Sequence, residues 1–122
     1  MSGPSPERRA ILYLEDVLKF AHYAIQFLGD QSNEQVENDL QAQFAIVRAV
    51  EVIGEAASQI PVDIRDLAPE VPWRDIVAMR NRIIHHYFGV HLDIVLNVVR
   101  QDLAPLIESV EHLLSELRAS QE

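Results

Sequence analysis

Apolar residues recur every three or four positions along most of this chain, a pattern typical of amphipathic helices. In the first such segment, Ser5 reads as an N-cap, Pro6 as the first helical residue and Gly29 as the residue that ends the helix. The apolar stripe between them comprises Ile11, Leu14, Leu18, Ala21, Ile25 and Leu28, widened by Tyr13, Val17, Phe20, Ala24 and Phe27. The spacing predicts one long helix over this region.

A second long helix is predicted to run to about Gln59, with a break near Asn38. Ser32 and Gln35 have the spacing of a capping box at its start, and Pro61 stops it. Its apolar positions are Phe44, Val47, Val50, Ile53 and Ala57.

The second half of the chain predicts a connector and two further helices. The connector spans Pro61–Pro72 and includes a short helical turn around Ile64 to Leu67. A helix then runs from Trp73 to Phe88 and ends at Gly89. The last helix spans Leu92 to about Leu117, and Pro105 inside it is expected to kink it.

Four principal helices and a short connecting helix predict an all-α fold, an antiparallel helical bundle. A length of 122 residues suits one domain with one core, so residues 1–122 are expected to form a single domain with frayed ends at 1–6 and 119–122. The chain contains no cysteine, which excludes disulfides, thiolate metal sites and cysteine nucleophiles.

Charge and hydropathy narrow the possible partners. No apolar run approaches transmembrane length, and the first six residues lack the apolar core of a secretory signal, so we expect a cytoplasmic protein without membrane contact. The net charge of -9 opposes nonspecific coating of nucleic acid. The window from Arg74 to Asp93 is the least acidic place for a local nucleic-acid contact.

The predicted helix from Trp73 carries an arginine where packing favours an apolar residue. At roughly 100° per residue, Arg80 projects onto the middle of the apolar face. Asn81 and His85 lie side by side at the edge of that face, whereas Arg82 and His86 point toward water. The apolar residues of the face are Trp73, Ile76, Val77, Ile83, Ile84, Tyr87 and Phe88. A guanidinium in this position is costly unless its charge is paired.

Two compatible arrangements would satisfy Arg80. One is a structural ion pair with Glu55, whose small neighbours in Gly54–Ala57 would let another helix approach closely. The other is an anion site built by Arg80, Asn81 and His85, since arginine matches phosphate oxygens with a planar fork and histidine exchanges a proton near neutral pH.

The face of the second helix that carries Glu55 also carries Arg48 and Glu51, three and four residues apart. Glu51 and Glu55 repel each other unless a cation lies nearby. Either the face is solvated, with Arg48 paired to Glu51, or Glu55 reaches across to Arg80.

Metal chemistry and DNA binding fit these residues poorly. A di-iron bundle needs Glu-x-x-His pairs, which the sequence lacks. His85, His86, His91 and Asp93 could hold a divalent metal, but adjacent histidines on a helix point about 100° apart, so no metal site is expected. A helix-turn-helix DNA binder would need a basic recognition face, which this acidic chain does not offer.

Metal-free cleavage of RNA fits better, because RNA carries its own nucleophile, the 2′-hydroxyl. Such cleavage requires a base, for which His85 is the candidate, and a cation for the charged phosphorane, for which Arg80 is the candidate. Residues five apart on an ideal helix diverge by roughly 140°. The long stem of arginine, a helix that loosens just before Gly89, or a second copy of the chain could still complete the site.

The segment Arg80–Tyr87 resembles the Arg-Asn-x-x-x-His-x-Tyr motif of HepT-like proteins, members of the HEPN superfamily. Ile53–Ala56, Pro72-Trp73 and Val90–Asp93 are also similar to the family, and the resemblance covers Leu12 to Leu117. It implies a homodimeric HEPN-like helical bundle in which two motif helices line one cleft, with Arg80, His85 and Asn81 as catalytic residues and no cofactor.

The resemblance further implies a ribonuclease toxin of a type VII-like toxin–antitoxin system. Its partner would be a minimal, MntA-like nucleotidyltransferase antitoxin that transfers AMP onto the tyrosine of the motif, here Tyr87. The alternative is a noncatalytic helical module that partners a nucleotidyltransferase, in which Arg80 and His85 grip a nucleotide phosphate.

Overall fold

The computed structural model describes residues 3–85 and 92–121, with His85 described in its backbone only. Within these ranges all regular structure is helical, in agreement with the predicted all-α bundle. The elements are α1 (Pro6–Leu28), α2 (Asn33–Glu37), α3 (Leu40–Ser58), α4 (Val62–Arg65), α5 (Trp73–His85), α6 (Leu92–Asn97), a π-helix (Val98–Asp102) and α7 (Leu103–Ser120).

Helix α1 begins and ends where the sequence predicts. The Ser5 hydroxyl accepts a hydrogen bond of 3.1 Å from the backbone N–H of Arg8, which satisfies one of the free donors at the helix start. At the other end, Gly29 adopts a φ of 52° and donates its N–H to the Ile25 carbonyl at 2.9 Å. The buried stripe of α1 packs against α3 and α7.

The break in the second helical region is confirmed. The predicted capping box between Ser32 and Gln35 opens α2, and Asn38 ends it. Asp39 then caps α3 by accepting a hydrogen bond of 3.1 Å from the backbone N–H of Ala42. The predicted second helix is therefore two separately capped helices. In each, the side chain of the capping residue accepts a hydrogen bond from a backbone N–H that has no partner within the helix.

The connector after α3 is held by side chains that bond to backbone carbonyls. The short helix α4 begins slightly earlier than the predicted turn. Arg65 donates to the carbonyls of Ala57 at 3.0 Å and Ile60 at 2.9 Å, at the C-terminal end of α3. The indole N–H of Trp73 donates to the carbonyls of Arg65 and Ala68, both at 3.1 Å. These bonds fix the start of α5, which then packs back on α3.

The last helix is interrupted as its proline predicts, but through a π-helix. The π-helix spans Val98–Asp102 and ends shortly before Pro105, which has no N–H to donate to the Gln101 carbonyl four residues earlier. Helix α7 then continues through Ser120, so residues 119 and 120 are helical where the sequence predicts a frayed end. The Ser120 hydroxyl donates to the Glu7 carboxylate at 2.6 Å, which joins this end of α7 to α1.

The core lies between α1, α3 and α7, with α5 covering one side of α3. Its largest fully buried side chains are Leu14, Ile46, Ile60, Ile83, Leu96, Leu113 and Leu114. Four residues assigned to apolar stripes by periodicity are exposed instead: Ile25 at 38 %, Phe27 at 40 %, Phe44 at 50 % and Ile84 at 44 %. Among the described helices, none combines the length and apolar character needed to cross a membrane.

Candidate functional site

The site is built where α5 crosses α3 at Gly54. A Cβ atom at this position would lie 2.2 Å from the Cβ of Arg80, 3.0 Å from its Cγ and 3.0 Å from the carbonyl oxygen of Ile76. No side chain fits in that space, so the glycine lets the two helices approach closely. The close approach that the small residues around Glu55 predict is therefore present, and it lies against the aliphatic stem of Arg80.

The guanidinium of Arg80 is held by one residue from each helix. Its Nε donates to Oε2 of Glu55 at 2.8 Å, and Nη2 donates to the same oxygen. Its Nη1 donates to Oδ1 of Asn81 at 2.9 Å. The ion pair between Glu55 and Arg80 that the sequence suggests is confirmed, and Asn81 steadies the opposite side of the guanidinium.

The cation is not buried in the core, although its helical projection places it on the apolar face. The Arg80 side chain is 26 % exposed and that of Glu55 is 50 % exposed. The stem of Arg80 covers Gly54 while its charged end reaches the surface, as long basic side chains commonly do. The desolvation cost of burying the charge is therefore avoided in two ways: the guanidinium reaches the surface, and it is paired with Glu55.

Hydrogen-bonding capacity remains on both Arg80 and Asn81. A guanidinium carries five N–H donors. Only Nε, one N–H of Nη2 and one N–H of Nη1 have partners among the described residues. One N–H on each terminal nitrogen is left, together with the amide nitrogen of the exposed Asn81. These donors suit an anionic oxygen such as that of a phosphate.

The neighbouring charges on α3 are also paired. Arg48 donates to Glu51 one turn before Glu55, so each of the two glutamates has its own arginine. Both predicted pairings thus occur together, and the repulsion between Glu51 and Glu55 is offset. Arg82, as predicted, is exposed.

Comparison with known proteins identifies the family. The profile described as "Ribonuclease HepT-like" matches residues 13–113, which include Glu55, Arg80 and Asn81. The chain belongs to the HepT-like ribonuclease family. The resemblance of the Arg80–Tyr87 motif to this family is thereby confirmed, as are the helical fold and the ribonuclease class of the enzyme.

Individual relatives agree with this assignment. A Thermococcus cleftensis protein named as a probable ribonuclease HepT is 39 % identical over 101 residues, which cover 83 % of this chain and 92 % of that protein. A Methanocaldococcus jannaschii protein provisionally named as an RNase is 32 % identical over 119 residues, 98 % of this chain and 97 % of its own length. No solved structure matches this HepT-like chain significantly.

Part of the predicted site lies outside the described residues. His85 is the last described residue of α5, and only its backbone is described. His86, Tyr87 and His91 belong to residues 86–91, which lie outside the described residues. Of the residues considered for a metal, only Asp93 is described in full, and its Oδ1 accepts a hydrogen bond of 2.9 Å from Asn33. Within residues 3–85 and 92–121, no group of three or more potential ligands could hold a metal ion.

The bond between Asn33 and Asp93 belongs to a cluster that sequence reasoning missed. Arg100, in the π-helix, donates to the Asn33 side chain and to the Gln31 carbonyl, the latter at 2.9 Å. The cluster ties the α1–α2 turn to the helix that follows the HepT-like motif. No local sequence pattern could predict this cluster, because the two residues joined by each of its hydrogen bonds are 60 or more positions apart in the chain.

Proposed function

We propose that this HepT-like ribonuclease is the toxin of a type VII-like toxin–antitoxin system and that it cleaves RNA without a metal ion. The observation that carries the proposal is the state of Arg80, which is anchored by Glu55 and Asn81 yet retains donors for a phosphate. The family assignment supports RNA as the substrate. Action on cellular RNA would take place in the cytoplasm, and we propose that residues 1–122 act as one domain.

In the proposed reaction, the imidazole of His85 takes the proton of a ribose 2′-hydroxyl. The freed oxygen attacks the adjacent phosphorus, a new P–O2′ bond forms, and the P–O5′ bond breaks after passage through a phosphorane. Arg80 stabilises the negative charge on the phosphorane oxygens, and Asn81 orients the phosphate through its amide. The products are a 2′,3′-cyclic phosphate and, once the leaving oxygen has taken a proton from water, a 5′-hydroxyl.

Glu55 has a positioning role in this proposal. It bonds to the Nε and Nη2 edge of the guanidinium, so the remaining donors point in a fixed direction. A fixed fork loses less conformational freedom when it binds a phosphate than a free arginine would.

The alternative is a noncatalytic module in which Arg80 and His85 bind a nucleotide phosphate for a nucleotidyltransferase. Cleavage of RNA in EDTA by the purified protein, lost in the His85→Ala variant, would support the enzyme. Nucleotide binding without cleavage would support the alternative.

We also propose that two copies of the chain form the complete site. Exposed apolar side chains lie on the same helix faces as the Arg80–Glu55 pair: Ile84 lies one turn from Arg80 on α5, and Phe44, 50 % exposed, lies three turns from Glu55 on α3. Clustered exposed apolar residues often mark an interface. A second copy placed there would bring another His85 toward the same groove.

Sedimentation velocity at micromolar concentration is expected to show a dimer, because one chain supplies only half of the proposed groove. Ile84→Glu should shift the equilibrium toward the monomer by placing a charge in the interface. Val62→Glu, at an apolar position on α4 that is more exposed than Ile84, is the control and should leave the dimer intact. A fully active monomer would contradict this arrangement.

The proposed antitoxin is an MntA-like nucleotidyltransferase that modifies Tyr87. The phenolic oxygen would attack the α-phosphorus of ATP, a P–O bond to tyrosine would form, and pyrophosphate would leave. The attached AMP would place a phosphate next to Arg80 in the groove. The base and ribose of the AMP would fill the rest of the groove. Inhibition would then follow from occupancy and charge, without a change of fold.

Tyr87→Phe is expected to retain much of the RNase activity and to resist inactivation by the antitoxin, since it lacks only the hydroxyl. Co-expression with the partner followed by intact-mass measurement should show an AMP increment on the wild-type chain. Tyr23→Phe, which alters a tyrosine on α1, should still be modified. An AMP increment that persists in Tyr87→Phe would place the modification on another residue.

A further inference from the structure

An apolar cleft opens on the other flank of α5. It has a volume of about 280 Å³ and lies between α3, α5 and the region where the π-helix joins α7. Its apolar lining comprises Val50, Ile53, Ile76, Met79, Val98 and Leu103. Met79 is flexible and polarizable, a property common at surfaces that accommodate a partner.

Two carboxylates, Asp75 and Asp102, lie in the wall of this cleft, and both residues are exposed. Neither has a hydrogen-bond or ion-pair partner among the described residues, and Asp102 does not cap α7 with its side chain. An apolar cleft with two uncompensated negative charges repels a phosphate backbone and attracts a cation that has an apolar body. The side chains of lysine and arginine have this chemistry, a long aliphatic stem with a positive end.

The π-helix contributes directly to the cleft. Val98 and Asp102 are its first and last residues, and both line the cavity. The wide turn ends three residues before Pro105, which cannot donate to the Gln101 carbonyl. Interruptions of this kind occur frequently at functional sites, and here the interruption brings a carboxylate to the opening of an apolar cleft.

The cleft is separate from the Arg80 site. Arg80, Asn81 and Glu55 do not line the cleft, and around α5 Arg80 projects about 100° from Met79 and about 140° from Asp75. A protein that binds the cleft therefore leaves the Arg80 flank uncovered. An antitoxin that modifies a motif residue needs such an arrangement, because it must hold its target without covering the residue that it modifies.

We propose that this cleft docks a segment of the nucleotidyltransferase antitoxin that presents a lysine or arginine beside apolar side chains. The inference rests on the proposed function, since it takes the antitoxin as the partner. The basic group pairs with Asp75 and Asp102, and the apolar side chains enter the space between α5 and α7.

The test uses the full chain and the nucleotidyltransferase encoded beside it, with the dissociation constant of their complex measured by calorimetry. Asp75→Lys combined with Asp102→Lys is expected to weaken the complex on the order of tenfold or more, because attraction becomes repulsion. The matched control is Asp63→Lys with Glu108→Lys, which reverses two exposed carboxylates that do not line the cleft. The control should bind within about twofold of wild type.

Asp75→Asn with Asp102→Asn is the second variant, since it removes the charges with little change in shape. It should weaken the complex and reduce its dependence on salt, while RNase activity without antitoxin remains at the wild-type level.

If the wild-type chain binds the antitoxin and both cleft variants bind it equally well, the docking site is overturned but the proposed function stands. No complex with the wild-type chain overturns the proposed antitoxin, and the docking site with it. Dissociation of the dimer by the cleft variants would instead assign the cleft to contact between copies, and altered RNA affinity would assign it to substrate.

Discussion

His85→Ala is expected to slow RNA cleavage on the order of 10²-fold or more, because it removes the proposed base for the 2′-hydroxyl. Arg80→Ala should cause a loss of similar size by removing the charge that stabilises the phosphorane. Arg80→Lys keeps the positive charge but loses the fork held by Glu55 and Asn81, so it should recover only part of the activity. Single-turnover cleavage of a defined RNA oligonucleotide measures all three.

The exposure of Glu55 decides whether Arg80→Ala loses activity by unfolding or by loss of the positive charge. Arg80→Ala leaves Glu55 without its partner, and such a loss is strongly destabilising only where the remaining charge is buried. Glu55 is half exposed, so loss of the ion pair should change the free energy of unfolding by no more than about 1 kcal/mol. Urea unfolding should therefore show a folded variant that lacks activity.

Two substitutions serve as controls for this prediction. Arg82→Ala removes an exposed arginine two residues from Arg80, and His86→Ala removes the histidine that is predicted to point outward. Both should cleave at nearly the wild-type rate. The catalytic assignment is wrong if His85→Ala and Arg80→Ala cleave as fast as these controls.

Gly54→Ala is expected to destabilise the protein by about 1–3 kcal/mol and to reduce cleavage, although alanine is the better helix former. Helix propensity alone would stabilise the protein by about 1 kcal/mol. The added Cβ, however, would lie 2.2 Å from the Cβ of Arg80, so α5 must move away from α3. That movement separates Arg80 from Glu55, and the guanidinium loses its orientation.

A double-mutant cycle tests whether the contact with Arg80 causes the loss. Arg80→Gly removes both Cβ and Cγ, two of the three atoms nearest to the new methyl group, and leaves the third, the Ile76 carbonyl oxygen, at 3.0 Å. In that background, Gly54→Ala should cost at least about 1 kcal/mol less than in the wild type. Ala78→Gly, at an exposed position on α5, gives the helix-propensity contribution in this protein. An additive cycle would show that the glycine is needed for another reason.

The local chemistry of the sequence accounts for much of the fold. Ser5, Pro6 and Gly29 bound α1, and the Ser32–Gln35 capping box opens α2, because each of these signals acts within one turn. The pairing of Glu55 with Arg80 could also be predicted. A cation on an apolar face required a partner, and the small residues around Glu55 indicated where a helix could approach.

Features that depend on contacts between distant helices could not be predicted from the sequence. Periodicity assigned Ile84 to the core, yet α5 is covered by α3 on one side and Ile84 is exposed. Where α7 continues through Ser120, the serine hydroxyl bonds to Glu7 of α1, more than one hundred residues away in the chain. The apolar cleft likewise exists only after the π-helix and α5 have both packed, so no single segment predicts it.

The central claim is that Arg80 and His85 support cleavage of RNA by its own 2′-hydroxyl, without a metal ion. Analysis of the ends formed when the wild-type protein cuts a short RNA in EDTA tests it most directly. We expect a 2′,3′-cyclic phosphate and a 5′-hydroxyl, and no cleavage when the nucleotide at the cut carries a 2′-O-methyl group. Cleavage that requires an added divalent metal and leaves a 3′-hydroxyl and a 5′-phosphate would contradict the claim.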